Sequence, residues 1–248
     1  MLGHLIRKEI LDHLSSLRFL ILAALGSLVI WFSLYDGYAY YRDSLTDYRL
    51  AQTTTEDRIR QITVADNWSE VTAKGYQVHK PPVPMSIFIR GLEPFLGRSI
   101  RVTAVNRIEE SPAAMTPILG FFLPLDLGQV VQVILSLFIL LLTYDAMSGE
   151  KEGGTLRLMS SFPLSRWHLL LGKFLGALIP TLVAFGAPLL LGIGVVFLAP
   201  EVHLSGAEIA RLGLILVTFS VYLATFTCVG LLYSFSLFLC REPYREPD

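Results

Sequence analysis

The stretch YDAMSGEKEGGTLRLMSSFPLSRWHLLLGK, residues 144–173, decides how this chain is read. It is polar on average, and long uncharged runs flank it on both sides. Asp145, Glu150, Lys151 and Glu152 follow one another closely. A charged residue at the bilayer centre costs roughly 2.5–3.5 kcal/mol on insertion scales, so a spanning helix that reaches this group must end there. Gly153-Gly154 then separates the charged turn from Thr155–Met159, and Pro163 stops any helix that short run forms. The stretch lies outside the membrane, and composition alone leaves open whether it is a short helix or an ordinary loop.

The totals agree with that reading. Hydrophobic residues make up 53% of the 248-residue chain and charged residues 17%, against about 25% charged in soluble domains. The net charge of −1 argues against a nucleic-acid binder that works through bulk charge. Cys228 and Cys240 share one apolar run, and on a helix their separation is ~18 Å, far beyond a disulfide. The five histidines show no metal-ligand spacing, and no phosphate loop, nucleophile elbow or His-Glu-x-x-His motif occurs. No chemistry is expected from this chain alone.

Residues 1–18 space Leu2, Leu5, Ile6, Ile10, Leu14 and Leu17 at mostly three- and four-residue steps, with Arg7, Lys8 and Arg18 between them. That pattern predicts an amphipathic helix in the headgroup layer, in preference to an extension of the first span. Residues 19–35 are uncharged and form the first transmembrane helix, with Trp31 and Tyr35 near the far interface.

From 36 to 126 the composition is that of a soluble domain. Mixed charges in Arg42-Asp43, Asp47-Tyr48-Arg49 and Glu56–Arg60 read as a solvated helix continuing out of the membrane. Pro81-Pro82-Val83-Pro84 forces an extended segment, and Ser99–Val105 suits a strand. Asn67-Trp68-Ser69 fits a glycosylation sequon, a pattern that arises often by chance.

Residues 127–144 are the second span. A glutamine amide facing lipid goes unpaired, so Gln132 is expected to face another helix or a passage, with an interhelical hydrogen bond as the simpler role. Residues 174–200, ~40 Å as a straight helix, exceed a hydrocarbon core of about 30 Å, which calls for tilt, a kink or an irregular end. Pro180, Pro188 and Gly186, Gly192 and Gly194 can supply it. After a short connection at 201–211 comes the fourth span, 212–240, rich in hydroxyls such as Thr218, Ser220, Tyr222, Thr225 and Thr227. Hydroxyls in such helices bond back to their own carbonyls, so packing ranks ahead of a lined path. Basic residues cluster at Arg7, Lys8 and Arg18 and at Lys151, Arg157, Arg166 and Lys173, whereas 201–211 holds only Arg211. This asymmetry puts the N-terminus, the 145–173 loop and the 241–248 tail in the cytosol and 36–126 outside. The fold class is thus an all-α polytopic membrane protein with four transmembrane helices, an N-terminal interfacial helix and a mixed α/β extracytoplasmic domain.

The order of residues adds a resemblance. Tyr144-Asp145-Ala146, Ser148-Gly149-Glu150-Lys151-Glu152 and Gly154-Thr155-Leu156-Arg157-Leu158, then Pro163, Arg166 and Leu170-Leu171-Gly172-Lys173, resemble the cytosolic loop of the ABC-2 type transporter permeases. Met85–Glu93 and Leu96-Gly97-Arg98-Ser99 resemble the large extracytoplasmic insertion of one branch. The resemblance implies that this loop touches a separate ABC ATPase subunit. The implied coupling residues are Asp145, Glu150, Glu152, Gly154, Thr155, Leu156, Arg157, Pro163, Arg166, Gly172 and Lys173, with Glu150, Glu152 and Arg157 suited to charge-assisted contacts. On this reading the chain is no enzyme and binds no cofactor, ATP and Mg belong to the partner, and export across the plasma membrane is the implied activity.

A second permease copy or a related permease, and the lipid bilayer, are the further partners implied. Family members usually have six spanning helices and four are found, so the expectation is a truncated product, or a bundle completed by other copies. The alternative is a membrane-anchored receptor or assembly scaffold with an extracytoplasmic binding domain. An intramembrane enzyme would need paired acids or a His cluster within a span, and the four runs hold neither.

Overall fold

A computed structural model describes residues 2–64, 76–91, 93, 99–102, 108–110, 126–144 and 166–240. Among them are five long or apolar helices: α1 (Leu2–Ser15), α2 (Leu17–Val64), α3 (Leu127–Thr143), α4 (Arg166–Phe197) and α5 (Gly206–Cys240). Three short strands join them: β1 (Tyr76–His79), β2 (Ser99–Val102) and β3 (Ile108–Glu110). Contacts divide the chain into two compact units, one of residues 1–32, 129–195 and 206–248, the other of 33–128 and 196–205.

Among the described residues, three helices are long and apolar enough to cross a membrane, within α2, α4 and α5. Four were expected. The apolar stretch Leu127–Thr143 is shorter, ~26 Å as a regular α-helix against a core of about 30 Å. Its middle, Val130–Leu135, is wound as a π-helix. Ser136 Oγ donates to the Gln132 carbonyl at 2.6 Å, with a second contact to that of Val133 at 3.1 Å, so a side chain serves carbonyls where the regular i→i−4 ladder is interrupted. The Gln132 side chain is exposed. The interhelical hydrogen bond at this position runs instead through its backbone carbonyl, which accepts from Tyr222 Oη of α5 at 3.0 Å. Farther along the same pair of helices, a Cβ on Gly230 would strike Thr143, so only glycine permits the approach. Thr218, Ser220, Thr225 and Thr227 each donate to the carbonyl four residues back, as expected for the hydroxyls of this span, and Thr143 and Thr181 do the same in α3 and α4.

The second unit is built on residues 33–64 of α2. Its three strands form an antiparallel sheet in the order β1-β2-β3, with Val78 opposite Ile100 and Ile100 opposite Glu110. The prolines act as read: Val83 is extended at φ −93° and ψ 131°, and Pro84 opens a 3-10 turn, Pro84–Ile87. Ser86, Ile87 and Phe88 are buried. A Cβ on Gly37 of α2 would run into the Ile87 carbonyl, so the turn sits directly on the helix backbone. Arg90 closes the contact: Nη2 donates to Asp36 Oδ2 at 2.6 Å, the guanidinium lies 4.3 Å from the Tyr40 ring centre, and the Arg90 N–H donates to Asp126 Oδ2 at 3.3 Å. The Asn67-Trp68-Ser69 sequon lies outside the described residues.

Candidate coupling site

Lys173 is the residue from which the site is built. An uncharged run follows it in α4, yet its side chain is only 2% exposed, and a buried ammonium needs a partner. Glu9 of α1 supplies a carboxylate, Oε1 lying 3.5 Å from Lys173 Nζ. Glu9 sits on the face that α1 turns inward with Leu5 and His13, at i, i+4 and i+8, while Arg7, Lys8, Leu11 and Leu14 on other faces are exposed.

Close packing makes the pair possible. A Cβ on Gly172 would meet the tip of Leu5, and one on Gly176 would strike the Glu9 side chain near its root. These glycines stand one turn apart on α4 and let α1 lie against it. The expected headgroup-layer helix therefore has a protein-facing side, because Leu5, Ile6 and Ile10 from its apolar stripe are partly covered. His13 shares the site, and burial chiefly lowers its pKa below the ordinary range. Glu9 and Asp12 act the other way, and the Lys173 charge adds to the lowering.

The near end of the 144–173 stretch meets the same N-terminal segment. Arg18 Nη1 of α2 donates to Tyr144 Oη at 3.4 Å. Between Glu9 and Arg18 the helix breaks at Ser16, whose Oγ donates to the His13 carbonyl at 2.9 Å and accepts the Phe19 N–H at 3.2 Å. Ser16 thus caps the start of α2, satisfying a donor left over by the break. Both ends of the polar stretch rest on residues of the 1–18 segment, which sequence spacing assigns to a helix in the headgroup layer.

Of the residues singled out for coupling, Gly172 and Lys173 come together with Leu5, Glu9 and His13, and Arg166 is the first residue of α4. Asp145, Glu150, Glu152, Gly154, Thr155, Leu156, Arg157 and Pro163 lie outside the described residues. Residues 166–173, read as loop, are the first two turns of α4. Glu9 was missed. Its signal was an acid at i+4 from Leu5 and i−4 from His13, beside the apolar Ile6 and Ile10, which charge counting passed over.

The family model described as "ABC-2 family transporter protein" matches residues 4–240, from α1 through the end of α5 and across the whole loop base. The chain belongs to the ABC-2 transporter family. With three apolar helices of spanning length among its described residues, this ABC-2 chain is a multi-pass membrane protein. It is 44% identical over 82 residues to a probable ABC transporter permease protein NosY of Pseudomonas aeruginosa, covering 32% of this chain and 29% of that one. To the protein of the same description from Stutzerimonas stutzeri it is 38% identical over 106 residues, covering 42% of this chain and 36% of the relative. The matched part thus spans about a third of those relatives' length. No solved structure matches. ABC-2 membrane components of this kind are not catalytic themselves.

Proposed function

We propose that this chain is the permease subunit of an ABC transporter, in which a separate ATPase subunit binds ATP and Mg and drives export through contact with the 144–173 stretch. The family match over residues 4–240 carries the reading. In the proposed topology α3 crosses as a fourth, shorter span, both termini and the polar stretch face the cytosol, and residues 36–126 lie outside. Glu150, Glu152 and Arg157 form charge-assisted contacts with the ATPase, Gly154 allows close approach, and Lys173 and Gly172 carry the motion into α4. A second copy or a related permease completes the passage.

The test is recovery of an ATPase with the tagged full-length chain from native membranes. Glu150→Ala and Gly154→Pro are each expected to lower the recovered ATPase or its permease-dependent turnover. Equal recovery and equal turnover in both variants would remove the coupling role. Sidedness is tested separately with Ser148→Cys and a thiol reagent that does not cross lipid. No labelling is expected in sealed right-side-out cells, and labelling there would invert the topology.

A further inference from the structure

We infer that Glu9 is a positioning residue: its buried pairing with Lys173 binds α1 to the foot of α4, so that a displacement delivered through the 144–173 stretch carries the two helices as one body. The inference rests on the proposed ATPase contact and extends it to a helix that the coupling residues do not include.

Three observations support it. First, α1 makes an ordinary surface ion pair at no desolvation cost, Lys8 with Asp12 at 3.7 Å, both side chains at least half exposed, whereas Glu9 and Lys173 are 9% and 2% exposed. A buried pair is a poor source of stability compared with apolar residues of the same size, and its best-attested use is to fix register between helices. Second, Gly172 and Gly176 bring α1 against α4 at this one height, so the pair sits where the helices are already in contact. Third, 3.5 Å is longer than the 2.7–2.9 Å of a close charge-assisted hydrogen bond, and Glu9 Oε1 has no hydrogen-bond partner among the described residues. The attraction between these two atoms is therefore coulombic, and burial leaves it little screened by water, so it holds α1 to α4 without a hydrogen bond between them.

The experiment uses the full-length chain in proteoliposomes with the ATPase that co-purifies with it, and reads bound ATPase and permease-dependent ATP turnover separately. Glu9→Lys is expected to keep bound ATPase within about twofold while turnover falls about tenfold, and Lys173→Glu is expected to lower turnover by a similar factor. The exchanged pair Glu9→Lys/Lys173→Glu is expected to regain most of that turnover. Glu9→Gln, which preserves shape, serves if the charge-reversed chains do not accumulate, and the same split is expected of it. Wild-type turnover in Glu9→Gln, or loss of bound ATPase in parallel with turnover, would overturn the positioning role. If the unmodified chain recovers no ATPase, the proposed function itself fails and this inference falls with it.

Discussion

Arg90–Asp36 in one unit and Lys173–Glu9 in the other both join a short segment to a long helix, yet they are held in different ways. Arg90 has a 2.6 Å hydrogen bond, an aromatic face beneath it and a partner 42% open to solvent. Its neighbour Gly37 meets the Ile87 backbone, so the turn is positioned by shape before charge contributes. Lys173 and Glu9 are both buried, are 3.5 Å apart, and leave a carboxylate oxygen without a hydrogen bond among the described residues. The first arrangement is a hydrogen-bonded joint partly open to water, and the second is a buried charge contact between helices that Gly172 and Gly176 already bring together. The difference teaches that similar ion pairs serve opposite ends according to geometry and burial.

The largest effect expected follows from breaking the buried pair on one side. Lys173→Met leaves Glu9 uncompensated and should cost about 3–5 kcal/mol, read as a lower midpoint of thermal unfolding in detergent, with much of it regained in Glu9→Leu/Lys173→Met. A recovery no better than the single variant would show that the site needs charge to fold. Next, Gly37→Ala drives a methyl into the Ile87 carbonyl and should cost about 1–3 kcal/mol by the same measurement. Asp36→Asn should cost only about 1 kcal/mol, because the carboxylate is partly solvated and Arg90 keeps the Tyr40 ring. A larger loss for Asp36→Asn than for Gly37→Ala would reverse the view that shape positions this turn.

The smallest effect is a pH dependence confined to the looser pair. Burial lowers the His13 pKa, with the Lys173 charge in the same direction and Glu9 and Asp12 opposing. The folded chain thus keeps His13 neutral where the unfolded chain protonates it. The stability contribution is complete above the unfolded value of about 6.5 and is lost as pH falls below it towards and through the folded value. Unfolding midpoints between about pH 8 and pH 5 should show this component, and His13→Gln should flatten it. An unchanged profile in that variant would remove His13 from the site.

Much of this was legible before any coordinates. The apolar runs behind α2, α4 and α5, the charged continuation of α2, the proline-forced segment at Val83 and the strand at Ser99–Val102 all follow from local chemistry. The Glu9–Lys173 pair did not, because its members are 164 positions apart and each has a plausible local reading, one as a headgroup-layer charge and the other as a loop end. The π-helix at Val130–Leu135 was equally hidden, since an extra residue in a helical turn leaves no mark in an apolar pattern.

By itself the sequence determined which runs are apolar enough to enter lipid, because the transfer cost of a long uncharged run is set largely by its composition. It also carried the family through the residue order around 144–173. Tertiary structure alone decided that α1 lies on protein along its Leu5–Glu9–His13 face, that Arg90 clamps a turn to α2, and which carbonyl Tyr222 reaches. Those outcomes depend on which surfaces come within a few ångströms of each other, and the strength of an ion pair or the need for a glycine exists only once that distance is set.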